Sequence, residues 1–180
     1  DGILLGICGG VRKAGLIEDD QCSLERMCFR YALTREAVLQ ELMGPDRRRR
    51  AAALMRAAQA MADERSTETP LEWLVGYAID AGDRPAAFAY SAAAGRQSLA
   101  LSGVAEAAAH FQRALDLWVP VAGEAARAEA LLDLGRSVRF EQPERALAVM
   151  GEARALFQTL GDRASAAVTL ATAAGIRRTL

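Results

Sequence analysis

Lysine is almost missing: Lys13 stands alone against 21 arginines, and His110 is the one histidine in 180 residues. A lone histidine with no nucleophile or orienting acid placed near it by sequence reads as structural rather than catalytic. Aromatic residues make up only 6%, and β-branched residues thin out after about residue 40. Strands favour those types, which argues against a sheet protein. The three cysteines, Cys8, Cys22 and Cys28, lie in the first 28 residues, and none forms C-x-x-C. Structural zinc takes closely spaced Cys and His ligands, so no metal is expected. Asp1–Leu5 lacks the basic start of a secretory leader, and an odd cysteine count fits reduced, buried thiols, so the expected setting is cytoplasmic. No apolar run approaches the roughly 20 residues of a membrane helix. The net charge of −1 gives no overall field to attract nucleic acid.

The chemistry-bearing motifs are missing too. There is no G-x-x-x-x-G-K-[ST], and Lys13 is followed by Ala14, so no phosphate cradle is expected. G-x-S-x-G and H-E-x-x-H are also missing. The reading is a non-enzyme without cofactor, metal or catalytic residues.

What is abundant is helix former: 39 Ala, 22 Leu and 21 Arg. These side chains lose little freedom in a helix, so the expected class is all-α. Residues 1–44 read differently from the rest. Ile3 to Ala14 is an apolar stretch with glycines, a weak helix. Gly15–Asp20 is a turn into a short strand, and Met27–Tyr31 is a second one. Thr34 caps a helix through Glu36, Val38 and Leu42, stopped at Gly44-Pro45. Helix, strand pair, helix is the layout of a small partial winged-helix-like end.

From residue 45 onward the pattern is helical throughout. Asp46 caps a helix carrying Arg47–Arg50 and running to about Ala62, with a polar linker to Thr69. Thr69-Pro70-Leu71-Glu72 is a capping box opening a helix with Trp73 and Tyr77 that ends at Gly82. Gly82-Asp83-Arg84 recurs 79 residues later as Gly161-Asp162-Arg163, with Gly123-Glu124 midway. In each outer copy Gly suits a left-handed stop and Asp a cap. Gly95, Gly135 and Gly175 are spaced by 40, inside the helices that follow. A helix-interior glycine costs about 1 kcal/mol against Ala, so three in register point to a packing requirement. Ala107, Phe111 and Ala114 align with Ala146, Met150 and Ala153 at a shift of 39. The helices predicted are 84–100, 104–119, 124–140, 143–160 and 163–178, two complete pairs and the first helix of an incomplete third.

A small residue near position 8 of each first helix, with two alanines seven apart in the second, resembles the tetratricopeptide (TPR) pattern. Leu134-Gly135 with Ala146 and Ala153, and Gly95 with Ala107, Phe111 and Ala114, carry the match. The period exceeds the usual one of about 34. The front end adds Gly15-Leu16-Ile17, then Phe29-Arg30-Tyr31-Ala32-Leu33-Thr34-Arg35-Glu36-Ala37-Val38, then Arg47–Arg50. This resembles the F-R-H-A-L-x-R-E-A-V segment of large ATP-binding LuxR-type transcriptional regulators, with Tyr31 in place of His. The resemblance implies a TPR-like helical-hairpin solenoid over 45–180, after the winged-helix-like end, over 1–44, of an ATPase module that lies elsewhere. It also implies a regulatory or sensor segment whose partners are a protein, a peptide, other domains of the same chain or a small-molecule effector. A generic TPR interaction scaffold and the sensor region of a multidomain nucleotide cyclase stay open beside it.

In TPR repeats the first helices line a concave face. With the glycines as position 8, the facing positions are Ala89, Ala92, Arg96 and Leu99, then Glu129, Leu132, Arg136 and Arg139, then Thr169, Thr172, Ile176 and Thr179. Phe140 adjoins the second set. Arg96, Glu129, Leu132, Arg136, Arg139 and Phe140 thus form a candidate partner-binding groove suited to carboxylates. The competing reading pairs the arginines with Glu129 and Asp133 on their own scaffold. His110, Trp73 and Trp118 read as packing residues. Arg47–Arg50 point in four directions about 100° apart, as a solvated helix start or a domain contact does.

Overall fold

The computed structural model describes residues 9–20, 23–31, 33, 34, 36, 37, 44–65 and 71–178. Apart from one β-hairpin, these residues are helical or lie in connections between helices. They fall into two compact units, Asp1–Arg47 and Arg48–Leu180.

In the first unit residues 9–13 are helical. Gly15, at φ 68°, reverses the chain and donates its N–H to Arg12 O at 2.9 Å. Strand β1 (Ile17–Asp20) then pairs antiparallel with β2 (Ser23–Phe29), with Ile17 opposite Phe29 and Glu18 opposite Cys28. The expected second strand, Met27–Tyr31, is shifted: Asp20 pairs with Ser23, so β2 begins four residues earlier and ends at Phe29. Tyr31 lies beyond the strand and is exposed. The predicted 34–42 helix is described only at residues 34, 36 and 37, all helical. Ile3–Cys8, Cys22 and Leu42 lie outside the described residues.

Helix α1 (Gly44–Arg65) begins two residues before the expected Asp46 cap, because Gly44-Pro45 opens it. Proline suits a first helical turn, where its missing N–H has no partner to lose. Helix α2 (Leu71–Ala81) buries Leu74, Val75 and Ala78. The remaining elements are α3 (Arg84–Ala100), α4 (Val104–Leu117), a 3-10 turn (Pro120–Ala122), α5 (Glu124–Val138), α6 (Pro143–Thr159) and α7 (Arg163–Arg177). Their starts and ends lie within about two residues of the predicted spans. From α2 to α7 each helix packs chiefly on its neighbours in chain order. Connections of two to six residues force such neighbours to run antiparallel.

The repeated turn is the same at the level of single hydrogen bonds. Gly82 N donates to Ile79 O (3.0 Å) and Asp83 N to Ala78 O (2.9 Å). Seventy-nine residues on, Gly161 N donates to Gln158 O (3.1 Å) and Asp162 N to Phe157 O (2.9 Å). Gly82 and Gly161 adopt φ 77° and 76°, a region only glycine enters without steric cost. Asp83 then accepts from Ala86 N, and Asp162 from Ser165 N, each at 3.0 Å. The cap bond favours the ionised carboxylate, so Asp162 titrates below its ordinary range, with its Ser165 bonds as the first cause. Between α3 and α4 the same reversal is made by Ser102 at φ 65°, with Gly103 N donating to Ser98 O at 2.8 Å.

The core of the second unit is small and apolar, with Ala87, Ala107, Ala114, Ala128, Ala130, Ala146 and Ala153 fully buried. Methyl side chains let the helix backbones approach closely, and a few large residues fill what remains. Phe111, Leu134 and Met150 are the largest fully buried apolar side chains. Each contributes roughly 1.5–3 kcal/mol of transfer free energy. The glycine register has its packing reason here. A Cβ on Gly95 would sit 2.8 Å from the Phe111 ring, and one on Gly135 would sit 2.7 Å from Met150 Cγ. Gly175 differs: a Cβ there would meet nothing within 4 Å.

Candidate functional site

The predicted groove residues sit on or beside α3 and α5, and Asp133 organises them. Arg96 Nε lies 3.3 Å from Asp133 Oδ2, and Arg96 Nη2 lies 3.2 Å from Glu129 Oε2. Arg136 Nη1 approaches Asp133 Oδ1 at 3.4 Å, one turn along the same helix. Asp133 is the most enclosed member, its side chain 16% exposed. Arg96, Glu129 and Arg136 are therefore drawn together across the α3–α5 seam. The competing scaffold reading describes Arg96: both ends of its fork are engaged by α5 carboxylates. Such exposed pairs contribute about 0–1 kcal/mol each, so they yield readily to another carboxylate.

Leu132 is corrected. It is 7% exposed and belongs to the core, because it stands about 40° around the helix from Arg136 and equally from the fully buried Ala128, so the core reaches it. Thr169 and Ile176, read as facing positions of the third first helix, are buried as well. Thr169 spends its hydroxyl on Ser165 O at 2.7 Å. Thr179 lies outside the described residues.

Arg139 and Phe140 form a separate pair at the C-terminal end of α5. The Arg139 guanidinium lies 4.5 Å from the Phe140 ring centroid, and Phe140 is 79% exposed. An exposed aromatic ring under a cation offers a partner apolar area and charge in one place. Counting Arg96, Arg136 and Arg139 against Glu129 and Asp133, the group carries three positive charges and two negative ones, an excess of one.

The other residues singled out in the sequence divide between buried and exposed positions. His110 is buried on α4, with Nε2 3.8 Å from Glu72 Oε1 and, among the described residues, no hydrogen-bond partner for Nδ1. Trp118 donates from Nε1 to Gly123 O at 3.2 Å and lies under Arg127, 4.7 Å from the centroid. It pads a cluster with Phe88, Ala92, Ala114 and Ala130. Trp73 is 43% exposed. Arg47–Arg50 are exposed in the first turns of α1. Among the described residues no group of three or more His, Cys, Asp or Glu could hold a metal ion. No helix among them is long and apolar enough to cross a membrane.

One surface was not read from the sequence. A groove of about 440 Å³ lies between α6 and α7, lined by Arg154, Gln158, Arg163, Ala166, Ala167 and Leu170. The corresponding place between α4 and α5 is packed differently. There Leu115 stands where Arg154 stands 39 residues later, and a six-residue connection, 118–123, brings Ala122 against the cluster around Ala130. Between α6 and α7 only residues 160–162 intervene. The Leu115-to-Arg154 change, a break in the repeat, was the signal available.

No family model, no curated protein and no solved structure matches the chain.

Proposed function

We propose that this chain is a non-catalytic regulatory segment: a TPR-like helical solenoid of a signal-transducing ATPase of the LuxR-type regulator class, working in the cytoplasm. Its task is to bind a protein or peptide segment and pass that binding on as a change in domain contacts. The observation that carries the reading is the repeated helix pair. Gly95 receives Phe111 and Gly135 receives Met150, while the Gly-Asp reversal recurs bond for bond. Stacked helix pairs build extended surfaces from residues at fixed register, which suits recognition of an extended or helical segment rather than bond-making chemistry. The winged-helix-like end over 1–44 and the Phe29–Val38 resemblance supply the ATPase-regulator class.

The binding surface in this reading is the seam of Arg96, Glu129, Arg136, Arg139 and Phe140, and its ligand is an acidic segment or a C-terminal carboxylate. Arg136 and Arg139 give the charge, and Phe140 gives the apolar contact. The test is titration of a fluorescein-labelled acidic hexapeptide ending in Phe with a free carboxylate. Arg136→Glu should weaken it by roughly 1–3 kcal/mol, the scale of a charge-assisted hydrogen bond, with helicity unchanged by circular dichroism. Equal affinity for the folded variant would discard the seam as the binding surface.

A further inference from the structure

A smaller groove, of about 270 Å³, lies between α4 and the turn from α5 into α6. One wall of it is aliphatic. Val104, Ala105, Ala108 and Ala109 come from α4, and Val138 ends α5. Positions 105, 108 and 109 share one helix face by their three-and-four spacing, and their methyl groups leave a hollow that longer side chains would fill. Ser137 lines the same wall but spends its hydroxyl on Asp133 O at 2.9 Å.

The other wall is polar, and its hydrogen bonds fix one cation. Arg145 Nη2 donates to Gln112 Oε1 at 2.7 Å, and Arg145 Nη1 donates to Gln142 Oε1 at 2.8 Å. Gln112 Nε2 in turn donates to Asp116 Oδ1 at 2.8 Å. A guanidinium only donates and a carboxylate only accepts, so Arg145 and Asp116 together set which way the Gln112 amide turns. Both acceptors of Arg145 are neutral, and they leave three of its five N–H donors for a ligand. Glu141 lies four residues before Arg145 and lines the same groove. Among the described residues neither of the two has an ion-pair partner, and they do not pair with each other. The groove therefore offers one unbalanced cation and one unbalanced anion beside an aliphatic wall.

We propose that this groove binds a free α-amino acid with a branched aliphatic side chain. Arg145 receives the carboxylate, Glu141 receives the ammonium, and the side chain lies on Val104, Ala108 and Val138. Two opposite charges presented close together match a zwitterion, whereas a peptide of any length carries them at separate ends. The volume lies just under the roughly 300–1,000 Å³ of sites for drug-sized ligands, which suits a smaller molecule. Lining residues come from α4, α5 and α6, so an occupant ties the second helix of one pair to the next pair. The groove shares no residue with the seam of Arg96, Glu129, Arg136, Arg139 and Phe140, and its binding does not depend on that surface.

The experiment is calorimetric titration of L-leucine into the full chain, with Tm followed in parallel. Saturable binding is expected, with a Tm that rises with ligand concentration. N-acetyl-L-leucine lacks the ammonium and L-leucinamide lacks the carboxylate. Each should bind roughly tenfold more weakly, as the loss of a charge-assisted hydrogen bond implies. Arg145→Gln should weaken L-leucine by about the same tenfold factor and leave L-leucinamide unchanged. Glu141→Gln should weaken L-leucine and leave N-acetyl-L-leucine unchanged. Both residues are exposed, so circular dichroism should show intact helices in each variant. Absence of saturable L-leucine binding overturns the proposal. Undiminished binding of either blocked derivative also overturns it, because the groove would then be an apolar hollow only, and this arm needs no variant to fold. Undiminished L-leucine binding to either folded variant overturns it as well, since the ligand would sit elsewhere.

Discussion

Helices α5 and α7 carry the same glycine at the same register, yet one glycine is buried under Met150 and the other faces open space. Gly135 removes a Cβ because a neighbour needs the room, and its helix-propensity cost is offset by close packing. Gly175 bears the same intrinsic cost with no contact to offset it. The glycine is thus a feature of the repeat, and its energetic meaning depends on what lies opposite.

The sharpest way to break this comparison is to remove the opposing residues. Phe111→Ala should cost about 3–5 kcal/mol and Met150→Ala about 2–5 kcal/mol in denaturant unfolding. Losses under about 1 kcal/mol would mean that the notches are loosely filled. Next come the glycines themselves. Gly95→Ala should destabilise by roughly 1–3 kcal/mol, because three atoms of a rigid ring lie within 2.9 Å of the new methyl. Gly135→Ala should cost less, since Met150 is flexible and can turn aside. Gly175→Ala should instead stabilise by about 1 kcal/mol. The same sign at all three positions, read from midpoint shifts in urea, would erase the distinction between covered and open helices.

Smaller effects sharpen the turn and the seam. Asp83→Ala removes the bond to Ala86 N and should cost about 1 kcal/mol. A double-mutant cycle on Arg96 and Asp133 should return a coupling of about 0–1 kcal/mol that fades with salt. A larger coupling that survives salt would make the seam a rigid clamp instead of a yielding surface. The smallest signal is the pH dependence at Asp162. Its carboxyl is held below the ordinary range by Ser165, so the folded state binds fewer protons than the unfolded chain. Its contribution is complete above the unfolded value of about 3.9 and is lost as pH falls through the lower folded value. The Tm difference between wild type and Asp162→Asn should shrink in that acid window and stay flat above it.

Much of the helical layout was legible because its signals are local. Gly82-Asp83 and Gly161-Asp162 mark chain reversals through backbone sterics and a short-range cap. The Ala107–Phe111–Ala114 spacing marks one helix face. The hairpin was less legible: β2 starts at Ser23 because pairing with Asp20 is decided across strands, not along one. The candidate seam was half legible. Register placed Arg96 and Arg136 on one side, but it also placed Leu132 there, and helix rotation against the core turned that residue inward.

The sequence by itself determined where helices begin, where they end and which positions repeat, since propensity, capping and left-handed glycines act within a few residues. Only the tertiary structure decided that Leu132 turns into the core, that Asp133 draws two arginines together, and that Arg154 lines a groove while Leu115 packs on the cluster around Ala130. Those outcomes depend on which side chains meet across helices far apart in the chain, and no local pattern carries that information.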